Sequence, residues 1–229
     1  MLSLSKHAME QTLYYIFVAG LAIYLVNQVR KPTKWVGRLF LWMMNRTHSG
    51  VTDWGLKHVA NEERFTILDV GCGGGRTIEK LAARAAKGTV YGVDYAAGSV
   101  AASSARNAQF MQAGRVGITR ASVSQLPFAA EKFDLVTAVE TQYYWPDLAN
   151  DMREVLRVLK PGGTLLVIAE SYRKGANDWL HGPAMKLVRS ANLSVEEQRE
   201  LFAAAGFTDV DISEERAKGW ICGVGKRPS

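Results

Sequence analysis

The chain has 229 residues, 48% of them hydrophobic and 22% charged, an ordinary globular composition that accommodates one α/β domain with an appendage. Its two cysteines, Cys72 and Cys222, stand far apart and form no C-x-x-C pair, which argues against a disulfide framework and against zinc and for a reducing compartment. The net charge of +6 is uneven: residues 1–60 carry +5 and the remaining 169 carry +1, so a uniformly basic nucleic-acid surface is excluded and an anionic membrane beside the N-terminal segment is expected.

Residues 13–26 form an uncharged apolar run of 14, followed by Arg30, Lys31, Lys34 and Arg38. No small-residue cleavage pattern follows, so the run reads as a helix and a candidate membrane anchor rather than a removable signal. A cytoplasmic location is expected for the body, and if the run spans a membrane the basic flank keeps the body on the cytoplasmic face. Lys34 to Arg46 is helical in period, with Val36, Leu39, Phe40 and Met43 on one side, Lys31, Lys34 and Arg38 on the other, and Trp35 and Trp42 at the boundary. Such a helix suits a headgroup interface, with packing on the body as the alternative. The chain therefore divides into an apolar helix (1–30), a basic amphipathic helix and lid segment (31–60) and the main domain (61–229).

From residue 65 short apolar runs alternate with helical stretches. The expected strands are 65–70, 89–94, 116–120, 133–140, 163–170, 208–213 and 218–225, and the expected helices 76–87, 97–112, 148–160 and 194–206. Single helices between strands imply parallel βαβ units, and the short link through Lys218 and Gly219 implies a terminal antiparallel hairpin. The fold class expected is α/β: a doubly wound, mostly parallel seven-stranded sheet with a C-terminal antiparallel hairpin and N-terminal helices.

The first strand, Phe65 to Val70, runs into Gly71-Cys72-Gly73-Gly74-Gly75-Arg76-Thr77 and then into a helix. Glycines let the backbone turn sharply and approach a ligand, and a helix N-terminus favours an anionic group. A dinucleotide fingerprint would need glycine at Arg76 or at Ile78, so both of its registers fail. Asp69, just before the glycines, would repel a pyrophosphate but suits a ligand carrying ammonium and sulfonium charge. The second strand ends in Asp94, a carboxylate placed to accept from both hydroxyls of a ribose. Lys160-Pro161-Gly162-Gly163 lacks the spacing of a phosphate loop and reads as a helix stop and turn.

With these segments in order, the chain resembles the class I S-adenosylmethionine-dependent methyltransferases, and within them the bacterial group that includes the ubiquinone and menaquinone biosynthesis methyltransferases. The carriers are Ile67 to Gly75, Val93-Asp94, Leu126-Pro127-Phe128, Phe133-Asp134-Leu135-Val136 and Arg157 to Gly163. The resemblance implies S-adenosyl-L-methionine as cofactor, with Asp69, Gly71, Cys72 and Gly73 along its methionine moiety, Asp94 on the ribose and Tyr95 beside the adenine. It also implies that Ala121-Ser122-Val123 borders the adenine, with Ser122 where many relatives carry an aspartate.

The fourth strand ends in Glu140-Thr141-Gln142-Tyr143-Tyr144-Trp145-Pro146, which the resemblance places beside the transferred methyl group. The stretch lacks the Asn/Asp-Pro-Pro-Tyr signature of enzymes that methylate nucleic-acid bases. A base is needed only for an acceptor that arrives protonated, and Glu140, Tyr143, His48 and His181 are the candidates, each with a duller reading as a loop or packing residue. Asn45 to Gly55 and Ser171 to Ser190 are the expected lids, with Thr52 or Asp53 as a helix cap. The function expected is methyl transfer to a small acceptor, apolar or aromatic, without metal or nucleic acid. Two rivals remain: a membrane-associated cofactor-binding protein of the same fold without turnover, and an NAD-dependent oxidoreductase.

Overall fold

The computed structural model describes residues 20, 24, 28, 33–60, 63–176, 178, 179 and 190–229. The described elements, in order, are α1 (Lys34–Thr47), α2 (Ser49–Gly55), a 3-10 turn (Leu56–His58), β1 (Thr66–Val70), α3 (Arg76–Arg84), β2 (Thr89–Asp94), α4 (Ala97–Arg106), α5 (Ala108–Gln112) and β3 (Val116–Arg120). They continue with β4 (Phe133–Val139), a 3-10 turn (Gln142–Tyr144), α6 (Leu148–Val158), β5 (Leu159–Ala169), α7 (Val195–Ala205), β6 (Thr208–Glu215) and β7 (Trp220–Lys226). The sheet order is β3-β2-β1-β4-β5-β7-β6. The first five strands in that order are parallel, whereas β7 pairs antiparallel with both β5 and β6. The expected fold class is the one observed.

Because successive strand residues point to opposite faces, each central strand feeds two cores. Leu68, Val136, Leu165 and Val167 pack with Met152 and Phe202 beneath α6 and α7. Ile67, Leu135, Leu166 and Ile168 pack on the other face with Val51, Leu56, Ile78 and Leu81 from the α2 and α3 side. The order of strands reverses between β1 and β4, and ligand crevices form at such a point beyond the carboxyl ends of the strands.

Several boundaries differ from expectation. The expected helix over 97–112 is broken at Asn107, whose buried side chain donates to the Gly75 carbonyl at 3.0 Å and to the Ser103 carbonyl at 2.9 Å. Local propensity carries no sign of that break, because the bond that demands it reaches back to the glycine loop. The fifth strand begins at Leu159, earlier than expected, since Leu159 already pairs with Phe133 before Lys160 to Gly163 bulge out and pairing resumes between Leu135 and Thr164. A Cβ on Gly163 would lie 2.8 Å from the Lys160 carbonyl oxygen, so the excursion needs glycine there.

On α1, Gly37 and Leu41 are turned inward, whereas Leu39 and Met43, expected on one side, lie exposed together with both tryptophans, Trp35 and Trp42. Helical period locates a stripe but not the side the body occupies. Thr52 caps nothing; it lies within α2 and its hydroxyl donates to the His48 carbonyl at 2.8 Å. The apolar run 13–26 lies outside the described residues apart from Gly20 and Tyr24, and among the described residues no helix is long and apolar enough to cross a membrane.

Asn107→Ala removes two buried hydrogen bonds and leaves the Gly75 carbonyl with the Glu79 amide alone, so it should lower the stability to urea by about 1–3 kcal/mol. An unchanged unfolding midpoint would contradict the part given to this side chain.

Candidate functional site

The glycine loop is shaped by contacts on both sides. Gly71, Gly73 and Gly75 all have positive φ, and a Cβ on Gly71 would fall 2.1 Å from the Thr141 hydroxyl, so only glycine lets the loop pass the end of β4. The amides of Gly71 and Cys72 donate to the Val93 carbonyl at 2.8 and 3.0 Å. The Gly73 amide donates to one Asp94 carboxylate oxygen at 3.0 Å, and the Ala96 amide to the other at 2.8 Å. One carboxylate thus joins the turns after β1 and β2. Burial raises its pKa, and the bonds from Ala96, Gly73 and Ser99 pull it back.

Two cavities meet at Gly71. The first is bounded by Val70, Val93, Asp94, Tyr95, Ala121, Ser122, Val123, Thr141, Tyr144, Trp145 and Pro146. The second is bounded by Leu41, His48, Thr52, Cys72, Gly73, Gly74, Arg76, Thr77, Val139 and Glu140. The sequence-predicted residues divide between them: Asp94, Tyr95, Ser122 and Val123 in one, Cys72, Gly73, His48 and Glu140 in the other, with Gly71 shared. Asp69 lines neither. It is buried behind the loop, where it accepts from the Thr137 hydroxyl at 2.7 Å, and burial pushes its pKa up to about 7, the Thr137 bond opposing and Asp94 adding. The Cys72 thiol is pushed well up by burial and stays neutral. His181 lies outside the described residues.

His48 and Glu140, which line the second cavity, belong to a connected set of ionisable groups. Glu140 sits at the end of β4 with φ +56, a conformation that is costly without glycine and is held by its surroundings. Its carboxylate accepts from the Tyr143 hydroxyl and, at 2.5 Å, from the Glu170 amide. His48 Nε2 lies 3.1 Å from a Glu170 carboxylate oxygen. Burial pushes Glu140 up to about 7, with His48 countering and Glu170 adding. For His48 burial opposes the charged form, but the Glu170 bond and the Glu140 and Glu170 charges outweigh it, and its pKa is raised. Burial and the neighbouring Glu140 charge drive the Tyr143 phenol well above its ordinary value.

Glu170 is the member of this set that sequence reading passes over. A signal for it exists: β2, β1, β4 and β5, adjacent in the sheet, place Asp94, Asp69, Glu140 and Glu170 at or next to their carboxyl ends. His48, Glu140 and Glu170 also present one ligand atom each within 4.8 Å of one another. Each is already bonded within the set described above, which accounts for the grouping without a metal ion.

Residues 68–167 match the family described as a methyltransferase domain. The methyltransferase GfsG of Streptomyces halstedii is 36% identical over 112 residues, covering 49% of this chain and 40% of that protein. The demethylmenaquinone methyltransferase of Lactiplantibacillus plantarum is 36% identical over 106 residues, covering 46% of this chain and 45% of that protein. Residues 68–167 form a class I methyltransferase domain. The chain spans less than half the length of these two relatives. A methyltransferase from Aquifex aeolicus described as S-adenosylmethionine-dependent has the same fold, with a TM-score of 0.65 and 21% identity over 77% of this chain and 89% of that one. S-adenosylmethionine is the cofactor of this class of domain, and the donor set fits it: a loop stripped of Cβ atoms and a buried carboxylate at the wall of the first cavity.

Asp69 and Glu140 hold protons in the folded protein that the unfolded chain releases near pH 4, so their contribution to folding stability should fall as pH rises from about 4 to about 7. Urea titrations across that range should show a shallower fall for Asp69→Asn than for wild type. Parallel curves would show that Asp69 is ionised throughout.

Proposed function

We propose that this chain transfers a methyl group from S-adenosylmethionine to a small, apolar or aromatic acceptor that reaches the second cavity protonated. The observation that carries the reading is the junction at Gly71, where a cavity fitted to an adenosine meets one lined by His48 and Glu140. When bound, the sulfonium supplies a methyl group that is already electrophilic, so the protein has to align the acceptor, exclude water and remove one proton.

Asp94, which accepts from Gly73, Ala96 and Ser99, borders the first cavity and takes the ribose hydroxyls with its remaining acceptor capacity. Tyr95, Ser122 and Val123 flank the adenine. The amides of Gly71, Cys72 and Gly73 are already engaged within the protein, so the cofactor carboxylate falls to Arg76, which borders the same cavity. His48, oriented by Glu170, takes the proton of the acceptor, and Glu140, held by Tyr143, keeps the imidazolium stabilised. Leu41 and Val139 supply apolar wall on this side.

Calorimetry with S-adenosylhomocysteine should give one site per chain, weakened about 10- to 100-fold by Asp94→Ala. No binding to wild type removes the reading. Arg76→Ala should weaken cofactor binding with little change in kcat, whereas His48→Ala should lower kcat about 10²- to 10⁴-fold with product-cofactor affinity unchanged. Because His48 acts unprotonated and its pKa is raised, the rate should climb with pH through that value. A His48→Ala enzyme with wild-type kcat would leave the acceptor proton to another group.

A further inference from the structure

Among the residues of helix α1 whose side chains are described, apolar ones face both inward and outward. Gly37 and Leu41 face the body, and Leu41 borders the cavity that also holds His48. The other side presents Trp35, Leu39, Trp42 and Met43, which are 67%, 52%, 57% and 46% exposed. Their positions recur at intervals of three and four residues and therefore form one stripe. A surface helix of a globular domain ordinarily turns its charged face outward, and a contiguous exposed apolar patch marks a place of interaction.

Charge decides between the occupants of such a face. Seven basic and two acidic residues fall within residues 1–60, against 21 and 20 in the rest of the chain. Lys31, Lys34, Arg38 and Arg46 fall within α1 or just before it. An apolar protein surface would complement the stripe alone, whereas an anionic lipid surface complements the stripe and the basic surplus together. Tryptophan, with an apolar ring body and a polar N–H, settles at the level of the headgroups.

We propose that α1 lies in the headgroup plane of an anionic bilayer, with Trp35, Leu39, Trp42 and Met43 facing the acyl chains. The helix is then the layer between lipid and cavity. Leu41, on its inner side, puts the acceptor cavity about one helix diameter, roughly 10 Å, from the membrane. This inference concerns the surface alone and stands apart from the chemistry proposed for the cavity.

The test uses the full chain with unilamellar vesicles of phosphatidylcholine containing one quarter phosphatidylglycerol, the acyl chains brominated near the glycerol end. Tryptophan emission should be quenched, the quenching should be largely lost in Trp35→Phe/Trp42→Phe, and Leu39→Glu should lower vesicle co-sedimentation several-fold. Vesicles of phosphatidylcholine alone, or raised salt, should weaken binding to wild type. Calorimetry with S-adenosylhomocysteine on each variant shows that the fold survives, and a common failure of that binding in wild type would strike the catalytic reading without touching this one. Quenching that persists unchanged in the double phenylalanine variant would mean that another segment inserts and would overturn the proposal. So would absence of quenching together with a dimer, seen by ultracentrifugation, that Leu39→Glu dissolves.

Discussion

The Asp94 carboxylate, taking one backbone amide from each of two turns, is the interaction on which the crevice depends. The Gly73 and Ala96 amides approach its two oxygens at 3.0 and 2.8 Å, and through them the loop after β1 and the loop after β2 share a single charged anchor. Hydrogen bonds from amides to an ionised carboxylate are stronger than neutral ones and offset part of the cost of burying it. Asp69, two residues before the turn, accepts from the Thr137 hydroxyl and lies deeper, and burial together with the Asp94 charge takes its pKa up to about 7. Neighbouring acids thus serve differently: one faces a cavity and fixes its wall, the other is enclosed behind the loop.

The acceptor side follows the same logic with the opposite outcome. Glu140 and Glu170 lie close together beside His48, so burial pushes Glu140 up to about 7, and the two carboxylates raise the affinity of His48 for a proton against the effect of burial. Such a pairing of a buried carboxyl and a histidine beside a cavity is what the proposed proton removal calls on. Lys80 fastens this side to the cofactor helix, reaching Asp53 at 2.6 Å and the Ser49 hydroxyl at 2.9 Å, so α2 and α3 hold His48 and the glycine loop in fixed relation.

Much of the fold was legible because its signals are local. Thr89 to Asp94 reads as a strand from its own residues, the glycines after Val70 announce a turn, and the Lys218-Gly219 link announces the hairpin. What escaped is set by distance in sequence. Asn107 breaks a helix to bond with Gly75, 32 residues earlier. Glu170 acquires a role only because β5 neighbours β4 and His48 arrives from α2's leading edge. The outward side of α1 depends on what Leu41 meets, which no helical period contains. Asp94 was legible in both position and type, whereas the glycine amides, expected to face a ligand, turned out to be held by Val93 and Asp94.

The central claim is that one nucleoside bridges the two cavities across Gly71, and a crystal structure of the chain with S-adenosylhomocysteine tests it directly. The account predicts ribose hydroxyls on the Asp94 carboxylate, the purine between Tyr95 and Val123, and the amino-acid tail reaching past Gly71 toward Arg76. Density confined to some other surface, or an empty crevice at saturating nucleoside, would contradict it.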